Sequence, residues 1–313
     1  MNPDNTRSIA DDLRKTRVAD FMRSYTIEVT PVGALRVHDF REHLPEGTWV
    51  YVTALSGSDF RDTLEACKKL AHQGMTPIPH FTARSMTDAK TLDNHLNRVT
   101  TEAGVTRVLA IAGADSKPAG PFVDTLSMLE TGLFEKHGIR SIGLAGHPED
   151  PPVHDRSIIR EHADRKIEFA SKTGIEIYFV TQFVFEAEPV FKYVERIRSL
   201  GNRRPLVIGL PGLATLQSLI KHATACGVGP SMQFLTKRAR DLRKLLSVQA
   251  PDKLVVDLAN YVAAHPESLI SGVHIFPLGG FEKSAAWANA VVAGEFDFKA
   301  DGFDLLEGAA KGR

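Results

Sequence analysis

Short apolar runs rich in β-branched residues alternate along this chain with longer segments whose apolar residues recur at helical spacing. Runs bounded in this way by helices are typical of parallel strands that are buried on both faces. Several of the helical segments end in glycine, the usual residue at a helix C-terminus. Eight strands are predicted: SYTIEVT (24–30), TWVYVTA (48–54), TPIPHFT (76–82), RVLAIAG (107–113), RSIGLAG (140–146), IEIYFVTQF (175–183), RPLVIGL (204–210) and SGVHIFPLG (271–279).

Eight strand–helix units in a chain of 313 residues predict an α/β fold of the (β/α)8 TIM-barrel type, formed as a single domain over 1–313. Extra helices are predicted after strand seven, at 213–227, 234–246 and 252–265. A doubly wound open sheet is the alternative, but no G-x-G-x-x-G or Walker motif follows the first strand. Residues 1–20 are predicted to form an N-terminal helical extension, and 297–313 a C-terminal tail.

Charge and cysteine content narrow the classes of partner and compartment. The 38 lysines and arginines balance 38 aspartates and glutamates, and the basic segment 237–244 is typical of a solvated helix face, so no nucleic-acid partner is expected. No apolar run approaches the roughly 20 residues needed to cross a bilayer, and no secretory signal is visible. Cys67 and Cys226 form no disulfide framework. We therefore expect a cytoplasmic protein without a membrane partner.

Polar residues gather at the predicted carboxyl ends of the strands, where a TIM barrel carries its active site. The set consists of Glu28 and Thr30, Thr53, His80 and Thr82, Gly113 and Asp115, His147 with Glu149 and Asp150, Thr181 and Gln182, GLPG (209–212) and HIFPLGG (274–280). Glu28 has the most direct chemical meaning, because a carboxylate inside a core strand is costly unless it is paired or protonated. It is either a structural ion pair or an acid for proton transfer, and its place at a strand end favours the acid.

Other readings of these polar residues remain open or are disfavoured. His80 and His147 could each be satisfied histidines of the core, and Gln182 either satisfies backbone groups or reads the edge of a heterocycle. The loop HPEDPPVHD (147–155) has two histidines and three carboxylates, but its spacing matches no common zinc pattern, so no metal site is predicted. No G-x-S-x-G elbow supports a serine triad.

The segment FVTQFVFEAEP (179–189) resembles the sixth-strand segment of methylenetetrahydrofolate reductases. IEVTP, PHFTA, LAGHPED and VHIFPLG resemble further segments of that family in the same order, so the similarity covers roughly residues 20 to 295. The resemblance implies a TIM barrel that binds FAD non-covalently and reduces 5,10-methylenetetrahydrofolate to 5-methyltetrahydrofolate with NADH or NADPH. It places the protein in the one-carbon metabolism that feeds methionine biosynthesis.

The resemblance also implies roles for individual residues. Glu28 matches the general acid, and Gln182, Gln233 and Leu278 fall at or near folate-facing positions. The residues implied to contact the flavin are Thr53, His80, Gly113, Asp115, His147, Lys166 and Lys172.

This sequence departs from the family at several positions. Ala112 stands where the family has arginine, which puts Asp115 one place late, and His147 replaces a tyrosine. Leu278 is followed by two glycines where the family has asparagine and arginine. The open alternatives are therefore a flavin-free reductase, a pterin-binding barrel for methyl transfer, and a folate binder without catalysis. The sequence does not choose between NADH and NADPH, between reduction and oxidation, or between a monomer and a homo-oligomer.

Overall fold

Eight parallel strands close into a barrel. The computed structural model describes residues 3–54, 57–113, 115–149, 164–169, 171–225 and 246–309. The barrel strands are β1 (Thr26–Val29), β2 (Trp49–Val52), β3 (Thr76–Thr82), β4 (Arg107–Ile111), β5 (Ser141–Gly146), β6 (Glu176–Phe183), β7 (Leu206–Pro211) and β10 (Ile270–Phe276). Around the barrel the neighbours run β1, β10, β7, β6, β5, β4, β3, β2. The predicted (β/α)8 TIM barrel is confirmed, and all eight predicted strands are present.

Helices connect these strands, as parallel neighbours require. Their bounds are Pro3–Met22, Pro31–Arg36, Phe60–His72, Ala89–Ala103, Thr125–Leu129, Leu133–Lys136, Glu188–Ser199, Leu216–Ala225, Asp252–Ala264 and Phe281–Val292, and residues 164–169 are also helical. Of the extra helices predicted after strand seven, the first and third are present, and the one at 234–246 lies outside the described residues. The apolar residues of 121–138 recur at helical spacing and would suit one helix. Two short helices form instead, because Gly132 adopts a φ of 71° between them.

Side chains alternate between the inside of the barrel and the helical layer. Ile27 and Val29 of β1, like Val273 and Ile275 of β10, belong to the large core between strands and helices. A separate cluster fills the barrel interior, formed by Tyr51, Ile78, Leu109, Tyr178, Val180 and Val207. The Tyr51 and Tyr178 hydroxyls are 2.8 Å apart across this interior. The interior is therefore filled beneath the carboxyl ends of the strands.

The two termini of the described chain pack against the barrel. The N-terminal helix Pro3–Met22 buries Val18 and Met22 in the main core. Near the C-terminus, β11 (Phe296–Lys299) and β12 (Gly302–Leu305) form an antiparallel hairpin that buries Phe296 and Phe303. Only a tail was predicted for 297–313. A second small sheet, β8 (Ala214–Thr215) with β9 (Val248–Gln249), lies after β7.

Candidate functional site

Glu28 and His274 meet at the carboxyl end of the barrel because β1 pairs with β10. The strand register sets Thr26 opposite His274, and alternation places Thr26 and Glu28 on the inner face. Glu28 Oε2 lies 3.5 Å from His274 Nε2, and Thr26 Oγ1 lies 2.8 Å from His274 Nδ1. The His274 side chain is 1% exposed and that of Glu28 15%. The carboxyl group therefore stands between a buried imidazole and the opening of the barrel.

His80 and Thr53 bring two shielded polar atoms to the same end of the barrel. His80 is half-buried as a residue, but its Nε2 is closed off from solvent and has no hydrogen-bond partner among the described residues. The same holds for Thr53 Oγ1. Burial lowers the pKa of His80 to about 4, and the opposing attraction of Glu28 is smaller than this effect. His80 is therefore a neutral imidazole at physiological pH, with one nitrogen left for a ligand.

A bulge at the end of β6 sets the position of Gln182. The pairing with β7 runs from Val180–Val207 to Phe183–Gly209, so β6 carries one extra residue here. Gln182 Oε1 accepts a hydrogen bond from its neighbour's backbone N–H at 3.0 Å, and its side chain is half-buried. The Gln182 side-chain oxygen therefore accepts from a backbone N–H group, and the amide nitrogen remains available to a ligand.

Gly209 makes this bulge sterically feasible. A Cβ at Gly209 would lie 2.6 Å from the Thr181 carbonyl oxygen. Thr181 Oγ1 in turn accepts a hydrogen bond of 2.8 Å from the Gly209 N–H. The Thr181 hydroxyl on β6 thus accepts the hydrogen bond from β7 that a backbone carbonyl would accept in a regular strand pair.

The loop after β4 is held against the end of β3. Gly113 has a φ of 92°, a conformation that favours glycine. Asp115 Oδ2 accepts a hydrogen bond of 2.7 Å from Ser85 Oγ, and the Asp115 carbonyl oxygen accepts one of 3.2 Å from Arg84 Nη1. The carboxylate is therefore fixed beside β3, and a contact of Gly113 or Asp115 with a flavin stays a prediction.

The two candidate lysines lie in different surroundings. Lys166 is half-buried and donates a hydrogen bond of 3.0 Å to the carbonyl oxygen of Ala145, near the end of β5. Burial lowers the pKa of Lys166 to about 8, with Asp124 opposing the effect. Lys172 is exposed and pairs with Glu168 one turn earlier. Of the two lysines, Lys166 is the one beside a strand end.

The remaining predicted residues follow β5 and β10 or lie outside the described residues. His147 follows β5 and is exposed. Leu278 is half-buried and packs against the small cluster around Phe183 and Leu216, after β10. Asp150 and Gln233 lie outside the described residues. Across the described part of the chain, no group of three or more histidine, cysteine, aspartate or glutamate side chains could hold a metal ion, and no helix could span a membrane.

His274 is the site residue that sequence reasoning missed. The final strand SGVHIFPLG was predicted, but no function was predicted for its histidine. The signal was present in the alternation of that strand, which puts His274 and Phe276 on one face and the apolar Val273 and Ile275 on the other.

A closed parallel barrel with a carboxyl group, two imidazoles and an amide at its carboxyl end defines an α/β-barrel protein of the kind that binds small molecules at this end. Over residues 34–240, more than half of the chain, the sequence matches the family Methylenetetrahydrofolate reductase. The chain belongs to this family, and its chemistry is folate-related and reductase-like. Glu28 and His274 lie on either side of the matched range.

The chain is similar to two solved structures. An uncharacterized protein from Clostridium thermocellum that binds two copies of 5-methyl-5,6,7,8-tetrahydrofolic acid is 12% identical, with 86% of this chain and 94% of that chain covered at a TM-score of 0.51. Dihydropteroate synthase from Thermus thermophilus is 13% identical, with 81% and 88% covered at a TM-score of 0.43. At these identities, the first similarity supports the barrel fold alone.

Proposed function

We propose that this protein interconverts 5,10-methylenetetrahydrofolate and 5-methyltetrahydrofolate, with FAD as bound cofactor and NADH or NADPH as co-substrate. The observation that carries the proposal is the position of Glu28. In a chain of the methylenetetrahydrofolate reductase family, it supplies a carboxyl group at the barrel mouth, next to His274 and close to His80. The reaction needs an acid at such a place.

The residues around the mouth fit a flavin. Thr53 Oγ1 and His80 Nε2 are shielded polar atoms without partners in the described chain, and such atoms are costly unless a ligand satisfies them. The Lys166 ammonium near the end of β5 suits the ribityl or phosphate groups. FAD, when bound, supplies the means to carry a hydride between the nicotinamide and the folate. Gly113, Asp115, His147 and Lys172 complete the proposed set of contacts.

Glu28 acts on the folate as a general acid in this proposal. The five-membered ring of 5,10-methylenetetrahydrofolate opens to an electrophilic iminium ion only when a ring nitrogen gains a proton. Glu28 lies half-buried, opposite Tyr51 of β2 in the strand register, and delivers that proton from its carboxyl group in this proposal. Its 15% exposure lets the carboxylate regain a proton from solvent after turnover.

Gln182 orients the pterin in this proposal, because an amide can both donate to and accept from a heterocycle edge. The bulge at the end of β6 and the bond from Phe183 N–H to Gln182 Oε1 fix the side chain. Leu278, and Gln233 outside the described residues, are proposed to contact the folate as well. The same arrangement serves reduction and oxidation.

The test starts with FAD added to the purified protein. NADH or NADPH should bleach the flavin spectrum, and 5,10-methylenetetrahydrofolate should restore it. Glu28→Gln should leave bleaching intact and slow the folate step by roughly 100-fold or more, the usual contribution of a general acid. Glu46→Gln, which changes an exposed glutamate, is the matched control and should behave like the wild type.

Other outcomes separate the alternatives. Folate turnover with NADH or NADPH by protein that takes up no FAD would identify a flavin-free reductase. Folate binding without any turnover would contradict the proposal and identify a binding protein. Equal loss of both half-reactions in Glu28→Gln would contradict the role given to Glu28.

A further inference from the structure

Both nitrogens of the His274 imidazole are engaged, and this fixes where its hydrogen can be. Nδ1 lies 2.8 Å from Thr26 Oγ1, and Nε2 lies 3.5 Å from Glu28 Oε2. A neutral imidazole carries a hydrogen on one nitrogen only and offers a lone pair on the other. The hydrogen bond with Thr26 therefore decides whether Nε2 of His274 presents a lone pair or an N–H group to Glu28.

The Thr26 hydroxyl has one hydrogen and two neighbours. Besides His274 Nδ1, its oxygen lies 3.4 Å from the carbonyl oxygen of Val273, which can only accept. Both contacts are hydrogen bonds in one arrangement alone: the hydroxyl donates to the Val273 carbonyl and accepts from an Nδ1–H of His274. If the hydroxyl instead donated to Nδ1, its lone pairs would face the carbonyl oxygen.

The two arrangements of hydrogen on His274 favour different protonation states of Glu28. With hydrogen on Nδ1, the Nε2 lone pair faces Glu28, and the contact between them is attractive only if a further proton lies on Glu28 or on Nε2. With hydrogen on Nε2 alone, His274 donates to Glu28, and a hydrogen bond of this kind stabilises the carboxylate relative to the protonated carboxyl group. The first arrangement therefore favours the protonated Glu28 that a general acid needs.

The surroundings favour a pair without net charge. His274 is 1% exposed, its ring centroid lies 4.5 Å from that of Tyr51 and 4.8 Å from that of Phe276, and a bare carboxylate beside it would be poorly solvated. Among the residues that the structure describes, the other titratable groups that face the pair are His80 on β3 and the Tyr51 hydroxyl on β2, which is bonded to Tyr178 on β6. The lowered pKa of His80, about 4, makes it neutral, so it does not balance a carboxylate.

We propose that His274 is a positioning residue for the general acid: Thr26 holds hydrogen on Nδ1, and Nε2 shares one proton with Glu28. This proposal rests on the proposed function. In the forward direction, that proton passes from the pair to the leaving ring nitrogen of 5,10-methylenetetrahydrofolate. The carbon–nitrogen bond breaks with its electron pair going to nitrogen, Glu28 is left as a carboxylate, and water returns a proton to the pair.

The first test determines directly which ring nitrogen of His274 carries the hydrogen. Long-range proton–nitrogen correlation spectra of ¹⁵N-labelled protein report which ring nitrogen of a histidine is protonated, and loss of one signal set in His274→Gln assigns His274 among the 12 histidines. We expect hydrogen on Nδ1 in the wild type. We expect it to move to Nε2 in Thr26→Val, which keeps the shape of the side chain and removes the hydroxyl. An unprotonated Nδ1 in the wild type would overturn the proposal, whether or not the variant folds.

The second test measures the two half-reactions with Thr26→Ser as the matched control. Thr26→Val should slow the folate step by roughly tenfold or more, as part of the general-acid contribution is lost. It should leave reduction of FAD by NADH unchanged, and Thr26→Ser should keep both rates. An unchanged folate step in Thr26→Val would overturn the proposal. A wild type without folate turnover would overturn the proposed function, whereas an unprotonated Nδ1 in an active enzyme would overturn this inference alone.

Discussion

Replacement of His80 by glutamine is expected to remove an acid-sensitive part of the stability of the fold. The pKa of His80 is lowered from 6.5 to about 4 by burial, so between these values the unfolded chain binds a proton that the folded protein does not. The contribution is therefore fully present above pH 6.5 and is lost as the pH falls toward 4. A tenfold change in proton affinity is worth about 1.4 kcal/mol. The loss then amounts to about 2 kcal/mol at pH 5 and about 3 kcal/mol below pH 4.

Urea unfolding of the protein without cofactor, at pH 7.5 and at pH 5, measures this difference. The wild type should lose about 2 kcal/mol more than His80→Gln between the two pH values. His72→Gln, which changes an exposed histidine in the helix Phe60–His72, is the control and should follow the wild type. If His80→Gln and the wild type lose the same free energy of unfolding, His80 is not held neutral by burial and the description of the site is wrong.

Two further predictions concern residues that shape the ends of β5 and β6. Lys166→Met should raise the free energy of unfolding at pH 7 by up to about 3 kcal/mol in the absence of FAD, because burial lowers the pKa of Lys166 from 10.5 to about 8, and this gain should shrink as the pH rises from 8 toward 10.5. The same variant should bind FAD more weakly in a fluorescence titration, and unchanged affinity would contradict the proposed contact. Gly209→Ala should destabilise the fold by about 1–3 kcal/mol in thermal melts, because its Cβ would lie 2.6 Å from a backbone oxygen of β6. Gly174→Ala, with open space around its Cβ, should melt close to the wild type, and equal melting of both variants would argue against the bulge.

The barrel could be predicted from the sequence because each strand is a local signal. TPIPHFT is β3 as predicted, and the other seven strands differ from their predicted bounds at the ends. The hairpin of β11 and β12 was missed because its stability comes from distant packing. Phe296 and Phe303 are buried, and the Phe303 ring stacks on Trp287. The alternation in EFDFK (295–299) is a strand signal, but the run is short and lies outside the repeated strand–helix pattern of the barrel.

The candidate site could be predicted as a set of strand ends, but its pairwise contacts could not. Glu28 was selected from its position in β1 alone, and the structure adds His274, which lies 246 residues away. Barrel closure makes the first and last strands neighbours, and their register then decides which side chain of β10 faces Glu28. A shift of one residue would turn Val273 or Ile275 inward and leave the carboxyl group beside an apolar side chain. The contact between Glu28 and His274 is therefore a property of the closed barrel, and substitutions that loosen the pairing of β1 with β10 should impair the proposed folate chemistry even when Glu28 itself is unchanged.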